Sequence, residues 1–340
     1  MNLLKTSLKD LKKAINEASV QACVVGLGYV GLPLSVILGE NGFMVTAVDK
    51  NQEVIKRCQK GSAHFYEKGL DEKLLKLLQR GMINFSTDVS VGTRHTAVIF
   101  VTIGVPLAPD GAIDTTALKE VSTAIGKELT EGKLVIVKST LPVGGTRRIV
   151  KPILEDVSRL AAEQDFGLAF VPERTVEGRA MEELVSLPKI VAGVGKRSKR
   201  AAQMIYRFIG GPLVPVSCLE VAEAAKLFDN VYRDVNIALA NELAIACERM
   251  GVDAIEAIQA ANYEYPRTNI LTPGVGVGGS CLTKDSYILT QAYTGKDKRH
   301  SLILRARQLN DTMPQHFMSL IKDAFFEMNF RACLKLQNVS

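Results

Sequence analysis

Between Gln21 and Ala192, short runs rich in β-branched and other apolar residues alternate with stretches of helical periodicity, and this alternation narrows the possible folds more than any other feature. The runs are residues 22–27, 44–49, 97–101, 134–138, 167–171 and 189–192. Strands separated by helices imply a parallel, doubly wound α/β sheet. After Pro212 and Pro215 the pattern changes. Val221, Ala225, Phe228, Tyr232, Val235, Leu239, Leu243 and Ala246 trace one face of a long helix that Gly251 ends. Helices are also expected over 253–262, 286–293 and 302–326, around an irregular, glycine-rich segment at 263–279. At the N-terminus, Leu4, Leu8, Leu11 and Ile15 recur at helical spacing and predict an amphipathic helix packed on the first domain.

The first strand runs directly into GLGYVG, which places Gly26, Gly28 and Gly31 in a GxGxxG turn at the start of a helical pattern. Asp49 ends the next strand about 20 residues on. In this register the glycines permit a tight turn and close approach of a pyrophosphate to a helix N-terminus, and the carboxylate is suited to a ribose hydroxyl. NAD is therefore expected over NADP, whose 2′-phosphate the acid would repel, although Lys50 weakens that preference. Thr102 and Thr140 sit at carboxyl ends of strands, where ligands of such sheets lie. The fold class is thus an N-terminal Rossmann-type doubly wound parallel sheet (21–212) followed by an all-helical central domain (213–327) with a long connecting helix, preceded by the amphipathic helix of 1–20.

Composition excludes several other classes. The net charge of +6 is spread along the chain, and its densest basic run, KRSKR at 196–200, has no interleaved aromatics, so no nucleic-acid partner is expected. Cys23, Cys58, Cys218, Cys247, Cys281 and Cys333 form no CxxC or CxxH pair, which argues against a zinc site or a disulfide framework and for a reducing, cytoplasmic location. No metal is expected. No apolar run approaches the length of a membrane span, so no membrane partner is expected either.

Downstream, Gly274, Gly276, Gly278 and Gly279 lead into Ser280-Cys281-Leu282-Thr283-Lys284-Asp285. Glycines let a backbone approach a ligand closely. A lysine and nearby amides beside a cysteine favour its nucleophilic thiolate form. On the long helix, Lys226 and Asn230 share a face and Arg233 lies on the next turn. Alone, such a polar stripe is a helix's solvated side. PERTVEG follows the strand at 167–171, and if a helix begins there Glu173 and Glu177 point the same way.

In this order, GLGYVG with Asp49, Lys138-Ser139-Thr140, PERTVEG, the helix with Lys226 and Asn230, and GGSCLTKD resemble the UDP-glucose/GDP-mannose dehydrogenase family from about residue 22 to 310. GYVGLPL (28–34), Tyr265-Pro266-Arg267-Thr268-Asn269-Ile270 and PGVGVGG (273–279) resemble the branch acting on UDP-N-acetylhexosamines, UDP-N-acetylmannosamine above all. That branch often has histidine before the nucleophile and valine-aspartate-proline after it; Ser280, Lys284 and Ser286 instead match the UDP-glucose and GDP-mannose enzymes. A UDP-glucose or UDP-N-acetylglucosamine 6-dehydrogenase, a two-electron 6-phosphogluconate-like dehydrogenase and an inactive NAD-binding dimer stay open as alternatives.

The resemblance implies an NAD-dependent, four-electron oxidation of a UDP-sugar at C6 for polysaccharide precursors. Cys281 would add to the aldehyde and carry a thiohemiacetal and then a thioester. Lys226 and Asn230 would stabilise oxyanions, Asp285 would accept the C6 hydroxyl proton, and Glu173 would activate the hydrolytic water. Glu177 would help position the nicotinamide or that water. Val30, Asp49, Thr102 and Thr140 would hold NAD, with Gly26, Gly28 and Gly31 forming its turn. Arg174, Thr175, Arg233, Tyr265, Arg267 and Gly278 would join Lys226 and Asn230 in holding substrate, and the long helix would form a homodimer. Relatives continue into a third, UDP-gripping domain of roughly 100 residues. MNFRACLKLQNVS (328–340) does not read as that domain's first strand, so a truncated tail is expected.

Overall fold

The computed structural model describes residues 1–108, 111–279 and 281–337. Ser280 of the glycine-loop motif and 338–340 of the expected tail lie outside the described residues. The strands are β1 (Gln21–Val25), β2 (Met44–Val48), β3 (Ile83–Ser86), β4 (Val98–Val101), β5 (Leu134–Val137), β6 (Gly167–Phe170), β7 (Lys189–Gly193) and β8 (Leu213–Pro215). Between and after them run α1 (Leu8–Asn16), α2 (Gly31–Glu40), α3 (Gln52–Gln59), α4 (Leu70–Gln79), α5 (Val89–Thr93), α6 (Thr116–Glu128), α7 (Lys151–Ser158), α8 (Ala180–Ser186) and α9 (Lys196–Ile209). The later helices are α10 (Leu219–Met250), α11 (Ala254–Asn262), α12 (Leu282–Thr290), α13 (Gly295–Arg299) and α14 (Leu302–Gln337).

One eight-stranded sheet has the order β3-β2-β1-β4-β5-β6-β7-β8. It is parallel from β3 to β6. The β6–β7 pair is antiparallel, a departure from an all-parallel sheet, and β8 pairs parallel to β7. The sequence reading lacks β3 and β8: they are the two edge strands and are only partly buried, so neither reads as a continuous apolar run. Each central strand is buried on both faces, which is why it reads as a continuous apolar run. In β5, Leu134 and Ile136 enter one core while Val135 and Val137 enter the other.

The order reverses where β1 lies between β2 and β4. Open α/β sheets bind ligands beyond the carboxyl ends of their strands at such a reversal. GLGYVG follows β1, Asp49 follows β2 and Thr102 follows β4, so all three converge there. Ser7 caps α1 by accepting a hydrogen bond from the Asp10 amide, and this sets the helix start at Leu8. Leu4 lies before the helix but is buried all the same.

Two compact units divide the chain, Met1–Lys226 and Leu227–Ser340, the division falling inside α10. The second unit is helical throughout its regular structure. Asp253 caps α11 through the amides of Ile255 and Glu256. α12 begins at Leu282, four residues earlier than its periodicity suggests, and α14 runs past Phe326 to Gln337. Among the described residues, no helix is long and apolar enough to cross a membrane.

Candidate active site

In the first unit, a cleft of about 420 Å³ opens at the sheet reversal, lined among others by Gly26, Gly28, Asp49, Lys50, Thr102 and Gly104. Gly26 has φ +96°, a conformation that favours glycine. Gly31 faces the turn itself, since an added Cβ there would fall 1.8 Å from the Gly26 carbonyl oxygen. At Gly28, by contrast, a Cβ would meet nothing within 4 Å, so the absent side chain leaves open space in the cleft wall. Asp49 Oδ2 accepts from the Leu27 amide at 2.8 Å and Oδ1 from the Asn51 amide at 2.9 Å. Thr102 Oγ1 donates to the Val25 and Gly26 carbonyls. The acid and the threonine therefore brace the glycine turn as well as lining the cleft. Val30 is the N-cap residue of α2. It does not line the cleft, and neither do Gly31 and Thr140.

No helix starts at Pro172. Residues 172–179 are irregular and α8 begins only at Ala180, so the expected common facing of Glu173 and Glu177 does not arise. Glu173 is buried and Glu177 exposed. Glu173 Oε1 accepts from the amides of Arg174 (2.8 Å) and Thr175 (3.0 Å), while Oε2 lies 3.2 Å from Lys138 Nζ. Burial pushes this carboxyl up, but the Lys138 and Lys189 ammonium groups and the Arg174 amide outweigh it and hold the group below the usual carboxylate range. Lys226 is buried on α10.

In the second unit, Cys281 is exposed at the N-cap of α12, two residues after Gly279. Its carbonyl accepts from the amides of Lys284 and Asp285. Asp285 is fully buried: Oδ2 accepts from Asn230 Nδ2 at 2.6 Å, and Oδ1 lies 3.4 Å from Lys284 Nζ. The next residue repeats the grip, Ser286 Oγ donating to Asp234 Oδ2 at 2.7 Å. Consecutive residues of α12 thus hold residues one turn apart on α10. Asp234 also accepts from Arg307 at 2.6 Å and from Asn310 at 2.9 Å. Asn310 is joined through Asn241 to the amide of Gly274. Sequence reasoning missed Asp234, Arg307 and Asn310, yet the spacing 226, 230, 234 was a signal for the first. Lys226, Asn230 and Asp234 form a buried stripe, whereas Phe228, Tyr232 and Leu239 of the expected apolar face are exposed. Arg233 is exposed as well. Arg267 Nε donates to Tyr265 Oη at 2.8 Å and its guanidinium lies over that ring. Gly278 is exposed, with open space where a Cβ would stand.

Residues 20–209 match the UDP-glucose/GDP-mannose dehydrogenase family, NAD binding domain, and residues 220–312 match the same family's central domain. The chain belongs to this family. It is an NAD-dependent nucleotide-sugar dehydrogenase by family, and the open wall at Gly28 fits that cofactor's pyrophosphate. A UDP-N-acetyl-D-mannosamine dehydrogenase of Pyrococcus horikoshii is 36% identical over 313 residues, covering 92% of this chain and 73% of its own length. An NDP-N-acetyl-D-galactosaminuronic acid dehydrogenase of Ralstonia solanacearum is 34% identical, covering 88% of this chain and 71% of its own. A solved structure of the UDP-D-ManNAc dehydrogenase of P. horikoshii superposes with a TM-score of 0.86 at 35% identity, covering 91% of this chain and 72% of that one. The superposition with the P. horikoshii structure takes in both the Rossmann sheet and the helical central region of the chain.

Proposed function

We propose that the chain oxidises the C6 hydroxyl of UDP-N-acetyl-D-mannosamine to the carboxylate in two steps, in the cytoplasm. The observation that carries the reading is the start of α12. An exposed Cys281 stands at the end of a glycine run, four residues before a buried carboxylate that Asn230 orients. The identity to the mannosamine enzyme of P. horikoshii supports the choice of sugar.

NAD, held at the cleft by Gly28, Asp49 and Thr102, would supply the hydride acceptor for each oxidation. Asp285 takes the C6 hydroxyl proton through Oδ1, the oxygen without a hydrogen bond among the described residues. The Cys281 sulfur adds to the aldehyde carbon, giving a thiohemiacetal whose oxyanion Lys226 and Asn230 stabilise. Loss of the second hydride leaves a thioester. Glu173 then removes a proton from water as its oxygen adds to the acyl carbon, the carbon–sulfur bond breaks, and the sulfur regains a proton. One alcohol and one water become a carboxylate, with two NADH formed.

In the same reading Glu177 positions the nicotinamide or the hydrolytic water, and Val30 and Thr140 contact NAD. Arg174, Thr175, Arg233, Tyr265, Arg267 and Gly278 hold the substrate. Arginine suits these positions because its planar fork binds phosphate oxygens bidentately. The chain pairs with a second copy through the exposed Phe228, Tyr232 and Leu239 of α10.

The test is NADH yield with UDP-N-acetylmannosamine, UDP-N-acetylglucosamine and UDP-glucose side by side. Two NADH per sugar with the first, and none with Cys281→Ala, are expected. One NADH with released aldehyde, or a flat trace despite NAD binding, overturns the reading. A stronger response to another sugar overturns the choice of substrate.

A further inference from the structure

Behind Glu173 the Rossmann unit holds charges to which the proposed reaction gives no role. Lys138 follows β5, and its side chain has no exposure to solvent. Its Nζ donates to Tyr206 Oη at 3.0 Å and to the Val171 carbonyl at 3.2 Å, and stands 3.2 Å from Glu173 Oε2. Lys189 on β7 is also buried, and its Nζ donates to the Glu183 carbonyl at 3.2 Å. Taking an ammonium group fully out of water is costly unless a counter-charge and hydrogen bonds offset it. Here the compensating anion is the carboxylate that the proposed hydrolysis needs.

We infer that Lys138 is the positioning residue of Glu173, fixing where its carboxylate points and which charge it carries when water is activated. The geometry leaves the carboxylate little choice of orientation. Two backbone amides hold Oε1, and Lys138, itself anchored by Tyr206 and Val171, draws Oε2. Burial alone would favour the neutral acid, which cannot take a proton from water. Two cations within the same pocket reverse that preference. The groups facing Glu173 are Lys138 after β5, Lys189 on β7, Tyr206 on α9 and the adjacent Arg174, with Glu183 of α8 acting on Lys189. Burial lowers Lys189 to about 8, so its share of the positive field fades above that pH. Lys138 is instead held above the ordinary lysine range, Glu173 and Tyr206 together overcoming its burial, and it stays charged throughout.

The inference rests on the hydrolytic role given to Glu173 above, and two readouts separate the one from the other. In protein carrying 13C-carboxyl glutamate, with the Glu173 resonance assigned through Glu173→Gln, that resonance is expected to titrate below the ordinary glutamate range. In Lys138→Met it is expected to titrate at higher pH, and the acid limb of single-turnover thioester hydrolysis moves the same way. A purely structural Lys138 would lower activity evenly at all pH values and leave both unmoved. A resonance that does not move in a folded, NAD-binding Lys138→Met protein overturns the inference. Should that variant not fold, titration of Glu173 in the unaltered protein within or above the ordinary range overturns it instead. One NADH per sugar from the unaltered protein overturns the reaction on which the role rests, without touching the carboxylate's titration.

Discussion

At the scale of single residues, the three glycines of GLGYVG do different work. Gly31 is a packing glycine: a Cβ there would lie 1.8 Å from the Gly26 carbonyl oxygen, a backbone atom that cannot move aside cheaply. Gly31→Ala is expected to destabilise the first unit by about 1–3 kcal/mol or more, the range for overpacking, as a lowered melting temperature before any ligand is added. Gly28→Ala meets open space, so it should melt as the unaltered protein does and instead weaken NAD binding, measured by titration calorimetry. Equal melting temperatures for the two variants would contradict this division. The motif was legible in the sequence because glycine spacing encodes it. That Asp49 spends one carboxylate oxygen on the Leu27 amide of the turn and the other on the Asn51 amide before α3 was not, because backbone conformation decides which donors face an acid.

Among the elements, α10 differs most from its sequence reading. Its apolar residues suggested the buried face, yet Phe228 and Tyr232 are more than half exposed while Asp234 and Asn241 are fully buried. Periodicity locates a face but not what covers it. What covers the polar face in the second unit is hydrogen bonding: Asp234 joins Ser286 of α12 and both Arg307 and Asn310 of α14. Removing one member of a buried ion pair strands the other charge, at a cost of about 3–5 kcal/mol. Asp234→Ala should therefore lower the second unit's unfolding free energy, measured by urea titration, by up to that amount, Asp311 remaining as Arg307's other counter-charge, and should loosen the α12 start that bears Cys281 and Asp285. A loss under 1 kcal/mol would mean that Asp311, 3.0 Å from the Arg307 guanidinium, suffices as its counter-charge.

For the whole molecule, the exposed apolar face of α10 bears on assembly. Phe228 is 57% and Tyr232 55% exposed in the single chain, and aromatic anchors of this kind carry much of an interface's energy. Sedimentation velocity is expected to show a dimer, and Phe228→Glu to shift it towards monomer with an unchanged circular dichroism spectrum, a loss of about 2 kcal/mol or more. An unaltered protein that sediments as a monomer at micromolar concentration, or a variant that remains dimeric, would remove α10 from the interface.

By itself the sequence determined the alternation of strands and helices, the dinucleotide turn, the long helix and the family, since short-range patterning and ordered motifs carry that information along the chain. It also singled out Glu173, Lys226, Asn230, Cys281 and Asp285. Tertiary structure alone decided the antiparallel β6–β7 pair, the irregular backbone at Pro172, the buried side of α10, and the pairing of Lys138 with Glu173 and of Asp234 with Arg307. The physical reason is distance along the chain. Lys138 and Glu173 are 35 positions apart and Asp234 and Arg307 are 73, so only packing brings each pair together, and only burial gives their charges an energetic consequence.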